Sequence, residues 1–232
     1  MAENKYILVL SDSRELNIDV RSLPEQLVVA VRNRILAGHF VPDIPLRQGV
    51  LAAELGVSKI PLREALTRLE EEGLLSSQVK RGYFVRPMTA GELEEIFALR
   101  LSLEPNAVAM AARHATEADH RLAYDILEAF DRVMDQDGDG LGALNRAFHL
   151  SLIRPGGQPV TAHILERLQV LSERYVRKHL DPLGRNERAI EEHRQMLQAW
   201  TVRDCKSIAA LTKAHIGKTL SDLRRQLRSE SL

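Results

Sequence analysis

Residues 47–85 read RQGVLAAELGVSKIPLREALTRLEEEGLLSSQVKRGYFV. Leu51, Leu55 and Val57 form one short apolar face, and Gly56 interrupts it where a helix must stop. Ser58 brings a side-chain oxygen to the position that caps a second helix. Pro61 is tolerated in that helix's first turn, where its missing N–H has no intrahelical partner to lose. Leu62, Ala65, Leu66 and Leu69 then recur at spacings of three and four and face inward, leaving Lys59, Arg63 and Arg68 on or near the outer face. Two short helices joined by a glycine turn, the second basic outside, predict a helix-turn-helix. After Gly73, the stretch up to Val85 predicts a two-stranded hairpin with a basic tip, Lys80-Arg81-Gly82. Together they imply a winged-helix DNA-binding domain.

Charge supports that reading by placement rather than amount. From Pro24 to Met88 there are nine Lys and Arg against seven Asp and Glu. Glu70, Glu71 and Glu72 crowd the far end of the second helix, while the cations gather at its start and at the hairpin tip. The candidate DNA-contacting residues are Arg47, Ser58, Lys59, Arg63, Arg68, Lys80, Arg81 and Gly82. The second helix is expected in the major groove, with Arg47 and the wing on phosphates or the minor groove.

This run resembles the winged-helix domain of GntR-type bacterial transcription regulators. Two positions depart from the family pattern. Ile60 stands where a small hydroxyl residue usually precedes the proline. Lys59 stands where arginine is usual, so the charge is kept but the planar fork that reads guanine is not.

Outward from this domain, residues 1–22 are polar apart from the β-prone Tyr6–Leu10, and read as an N-terminal arm. Leu23 to Ala37 predicts the first helix of a DNA-binding domain spanning 23–88. Thr89 with Glu92 forms a capping box that opens the next unit, 89–232. No strand pattern follows. Ile96, Leu99, Leu103, Val108 and Ala111 predict one or two helices bent at Pro105. Leu122, Ile126, Ala129, Phe130 and Val133 mark another, and Leu141, Leu144, Phe148 and Leu152 the next, ending at Pro155. Ile164, Leu168, Leu171 and Tyr175 lie on a long helix, and two more occupy 187–202 and 206–227. The fold class is thus mainly α, a winged helix-turn-helix followed by an antiparallel bundle of six or seven helices. Asp135-x-Asp137-x-Asp139-Gly140 opens like a calcium loop, but the twelfth position is Arg146 rather than a bidentate glutamate, so it reads as an acidic turn.

Three histidines fall on inward stripes of separate bundle helices: His149 beside Phe148, His193 with Met196, Leu197 and Trp200, and His215 with Ile208 and Leu211. They are either hydrogen-bonded core residues or the ligands of one metal ion. Arg100, Glu104, Asn145-x-x-Phe148-His149, Glu192-His193 and Ala214-His215-Ile216 are together similar to the FCD ligand domain of the FadR branch. That resemblance implies a divalent metal (zinc, nickel or manganese) held by Asn145, His149, His193 and His215, with a small carboxylate effector beside it. Asn145 stands where aspartate is common, and a neutral amide is the weaker ligand. Arg100 either pairs with Glu104 one turn on or receives the effector carboxylate.

Composition bounds the rest. A chain of 232 residues with 44% hydrophobic and 28% charged residues builds cores, and two domains suit its length. Zero net charge means a nucleic acid must be met by a local patch. The single cysteine, Cys205, excludes an intramolecular disulfide and fits a reducing cytoplasm, and no apolar run reaches membrane-spanning length. The expected function is ligand-modulated transcription regulation, as a repressor, by a homodimer on a palindromic operator, and not enzymatic. The rival reading is a metal-dependent enzyme on a small carboxylate with an appended DNA-binding domain.

Overall fold

The computed structural model describes residues 22–133, 141–179 and 186–230, and 78% of the described residues are helical. The arm before Ser22, the acidic Asp135–Gly140 turn and the Asp181–Gly184 turn lie outside the described residues. The DNA-binding unit comprises α1 (Leu23–Leu36), α2 (Gln48–Glu54), α3 (Lys59–Glu71), β1 (Leu75–Gln78) and β2 (Gly82–Val85). The strands pair antiparallel, Leu75 with Val85 through Gln78 with Gly82, leaving Val79, Lys80 and Arg81 as the tip. Gly56 takes φ +65 at the α2–α3 turn, a left-handed conformation that side chains with a Cβ disfavour. Leu62, Ala65, Leu66 and Leu69 are all fully buried against Val31 and Leu27 of α1. Each such leucine contributes roughly 1.5–3 kcal/mol by its burial.

The bundle follows as α4 (Ala90–His114), α5 (Glu117–Val133), α6 (Leu141–Ile153), α7 (Pro159–His179), α8 (Asn186–Thr201) and α9 (Cys205–Glu230), with a 3-10 turn at Arg154–Gly156. Six helices among the described residues agree with the expected bundle. The Thr89 side chain accepts Glu92 N–H at 3.1 Å, capping α4 as the sequence predicts. The Glu92 carboxylate does not complete the box; it goes to Arg86 at 3.2 Å and Tyr175 OH at 2.9 Å. Pro105 sits inside α4, which runs on as one helix.

Three apolar stripes differ from the sequence expectation. Leu99, Leu122 and Ile164 are exposed, while Ala123, Leu127 and Leu165 take the inward positions on α5 and α7. Spacings of three and four fit either flank of a helix, and only the neighbouring helices fix its rotation.

Helix α7 joins the two units. Val170 is buried in the core of the DNA-binding domain, and Leu171 packs against both cores. Arg174 donates to Arg86 O at 2.6 Å, and Tyr175 OH lies 3.1 Å from the Thr89 backbone. The hinge between the domains is thus held by residues of the bundle.

Candidate functional site

The prospective DNA face is built from α3 and the wing. Ser58 is the N-cap of α3 in extended conformation, but its side chain makes no capping bond, contrary to the expectation. Its exposed hydroxyl is left to solvent at the start of the helix. Lys59, Arg63 and Ile60 are exposed there, Ile60 to 74%. Arg68 is also exposed but leans toward α1, with Nη1 4.0 Å from Glu25. Arg47, the N-cap of α2, is exposed.

At the tip, Lys80 adopts φ +64 and Gly82 φ +93, which turns the lysine outward. Arg81 is less free: it donates to Gln78 at 2.7 Å and stacks over Phe84 at 5.3 Å. Thr67 and Tyr83 hydroxyls meet at 2.8 Å, locking wing to helix. Two of the three acids at the end of α3 have internal partners, while Glu71 is exposed. Glu70 accepts Ser77 N–H at 2.7 Å, and Glu72 takes a two-point ion pair from Arg32. Lys59, Arg63 and Lys80 remain outward alongside Glu64 and Glu71, and the cations at the helix start and the wing tip are those placed to meet phosphates.

The second site lies within the bundle, where α6, α8 and α9 bring His149, His193 and His215 together. Ligand atoms of the three lie within 4.8 Å of one another, and all three residues are buried. Ring centroids stand 5.1, 5.2 and 4.8 Å apart for the pairs 149–193, 149–215 and 193–215. His193 is wholly buried, with Phe148 at 4.5 Å and Phe130 at 5.6 Å, and neither ring nitrogen has a hydrogen-bond partner. A buried polar group left unpaired costs about 1–3 kcal/mol. Burial pushes the His193 imidazole well below its ordinary pKa, and His215 and His149 press it further down. Burial likewise takes His149 down to about 4 against the pull of Glu104. Both rings are therefore neutral at pH 7, the form that ligates metals.

Two carboxylates border the cluster. Glu104 Oε1 stands 3.1 Å from His149 Nδ1, at ion-pair distance though outside hydrogen-bond geometry. Glu192 Oε2 is 2.7 Å from His215 Nδ1, a hydrogen bond. Burial opposes ionisation of Glu104, yet Arg100 and His149 bring its pKa to about 2; His215 and Lys218 do the same for Glu192, also to about 2. In the sequence both belong to the FCD-like pattern, but Glu104 has a role only as a partner for Arg100 and Glu192 has none. Neither side chain's second contact lies within reach of helical periodicity.

Arg100 is buried and pairs with Glu104 at 2.9 Å, as one of its two sequence readings had it, and donates to Ser172 at 3.0 Å. It also lines a cavity of about 80 Å³ whose wall includes Asn145, Arg146, Arg188, Glu192 and His215. Asn145, one turn before His149 on α6, thus faces the same space as His215. Glu173, at the same wall, is paired with Arg146 and crowds so close to Gly142 that a Cβ there collides with its carboxylate.

A winged helix that leaves its cations outward, followed by a helical bundle enclosing a histidine cluster, defines a two-domain DNA-binding regulator. The chain belongs to the bacterial regulatory proteins of the gntR family, matched over residues 23–85, with an FCD domain over 95–218. It is 31% identical to the Nta operon transcriptional regulator of Aminobacter aminovorans over 78% of this chain and 84% of that one. It is 28% identical to the HTH-type transcriptional repressor GlaR of Escherichia coli, over 80% and 89% respectively. Among solved structures, E. coli McbR/YncC superposes with a TM-score of 0.77 at 25% identity, covering 90% of this chain and all of that one. The protein is a transcription regulator of this family. These relatives are named as regulators, and the enzyme alternative finds no support among them. No helix among the described residues is long and apolar enough to cross a membrane.

Proposed function

We propose that the protein is a homodimeric repressor that releases or tightens its hold on a palindromic operator when a small carboxylate binds beside a divalent metal in the bundle. The observation that carries this reading is His193, fully buried with both ring nitrogens unpartnered between two other histidines. A shared cation gives the unpartnered His193 a partner and draws the two neighbouring rings to the same point, and imidazole nitrogens suit zinc or nickel, manganese being the harder alternative. His149, His193 and His215 would hold the ion, with Asn145 as an oxygen ligand. The bound ion supplies a Lewis-acidic, positively charged anchor for a carboxylate.

The chain's own residues shape the rest. Arg100, Arg146 and Arg188 line the cavity together with Glu173 and Glu192, so an anionic ligand there would compete with these carboxylates for the guanidinium groups. Helix α7 carries the signal. Gln169, Ser172 and Glu173 face the cavity, while Val170 and Arg174 hold the DNA-binding domain. Pressure on one side of a rigid helix is felt at the other, shifting the spacing of two winged helices. Lys59 and Arg63 enter the major groove, and Arg47, Lys80 and Arg81 lie on the backbone. Repression is supported by the name of the GlaR relative. Dimerisation is supported by the apolar side chains that one protomer leaves in solvent on neighbouring helices, Leu99 of α4 and Val160 and Ile164 of α7.

The test is metal analysis of gently purified protein, followed by operator binding with and without short-chain mono- and dicarboxylates. Stoichiometric metal and a carboxylate-dependent change in operator affinity are expected. Metal-free protein after incubation with zinc, nickel and manganese, with no change in melting, would reduce the histidines to core residues.

A further inference from the structure

Two of the three clustered histidines meet a carboxylate at the same ring atom. Glu192 Oε2 lies 2.7 Å from Nδ1 of His215, and Glu104 Oε1 lies 3.1 Å from Nδ1 of His149. Each carboxylate is itself held. Glu104 receives Arg100 Nε on Oε2 at 2.9 Å and Gln169 Nε2 on Oε1 at 2.8 Å. Glu192 receives Lys218 Nζ at 2.9 Å and Arg188 Nε at 3.5 Å, both on Oε1. The oxygen left toward the ring is therefore fixed in place. Neither carboxylate joins the group of ligand atoms within 4.8 Å of one another, which consists of the three imidazoles alone among the described residues. His193 has no such partner; it is positioned by the Phe148 and Phe130 rings instead.

We infer that Glu192 is a positioning residue that fixes the Nδ1–H tautomer of His215, so that this ring presents its Nε2 lone pair to the ion. This rests on the metal reading of the cluster. The chemistry is that of a carboxylate–histidine–metal triad. A proton held on Nδ1 by an anionic acceptor leaves Nε2 unprotonated, orients the ring and raises its basicity. Glu192 is part-exposed at the cavity rim and hydrogen-bonded to its ring, whereas Glu104 is wholly buried in the ion pair with Arg100 and stands outside hydrogen-bond geometry to His149. Glu192 also touches the effector cavity, so a ligand that draws on Lys218 or Arg188 is felt at His215.

The experiment uses the full-length chain as wild type, Glu192→Gln, Glu192→Ala and Glu192→Asp. Zinc affinity is measured by competition with a chromophoric chelator, and histidine tautomers by ¹⁵N NMR of the metal-stripped protein. We expect Glu192→Ala and Glu192→Gln to bind zinc roughly 10- to 100-fold more weakly. Glu192→Asp should recover part of the loss. In the stripped protein, His215 should lose its single Nδ1–H signature in Glu192→Ala alone. A purely structural Glu192 would change chelator-treated melting and leave both zinc affinity and tautomer as in wild type; that result overturns the inference while the metal reading stands. Wild type that takes up no zinc overturns both.

Discussion

Replacing His193 by leucine separates a metal ligand from a core histidine, because the two predict opposite rankings of stability. The ring is wholly buried, and both nitrogens lack partners. In metal-free protein each unpaired polar group costs about 1–3 kcal/mol. Leucine has nearly the same volume and no polar atoms, so its packing penalty stays below about 1.5 kcal/mol. With two such nitrogens relieved, the variant should thus be more stable than wild type in chelator by at least about 0.5 kcal/mol. Zinc at a thousand times its Kd adds about 4 kcal/mol to wild type and little to the variant. For a chain of this size each kcal/mol moves the melting temperature by roughly 2–4 °C. Thermal melts of both proteins in chelator and in zinc should therefore cross over. A variant that melts well below wild type in chelator, with zinc leaving the gap unchanged, would refute the reasoning: His193 would then be a satisfied core residue.

Asn145→Asp adds an anionic oxygen to a neutral donor set and should tighten zinc binding, read by the same chelator competition; unchanged affinity would remove residue 145 from the site. On the DNA side, Arg63→Ala should cost roughly 1–3 kcal/mol of operator affinity and relax preference at one base pair, whereas Lys80→Ala should weaken all sequences alike and flatten the salt dependence. Mobility-shift titrations against operator and scrambled DNA at two salt concentrations distinguish them, and wild-type affinity in Arg63→Ala would exclude the proposed docking. Acid should destabilise the metal-free protein. His149 and His193 have folded pKa values below the unfolded value near 6.5, so the unfolded chain takes up protons first as pH falls. Stability is then full above about pH 6.5 and declines by up to about 1.4 kcal/mol per pH unit for each histidine, down to about pH 4 for His149. Urea midpoints in chelator at pH 7.5, 6.5 and 5.5 test this, and a flat series would contradict the burial of neutral rings.

The winged helix was legible because its signals are local. Gly56, the inward Leu62, Ala65, Leu66 and Leu69, and the basic tip at Lys80-Arg81-Gly82 lie within one turn or one hairpin of what they determine. Backbone conformation and side-chain period follow from near neighbours alone. The three histidine-bearing stripes of the bundle could be read the same way, since each belongs to one helix. Tertiary structure decided the rest. Whether His149, His193 and His215 meet depends on how α6, α8 and α9 are rotated and stacked, and periodicity does not encode that. The same freedom put Leu122 and Ile164 in solvent and Ala123 and Leu165 in the core. Ser58 stands at the capping position, but its side chain makes no capping bond. Glu192 touches His215 across 23 residues, and Gln169 reaches Glu104 across 65. Contacts at such separations are chosen by the packing of whole helices, because only the folded bundle brings those polar groups into a low-dielectric space where each must find a partner.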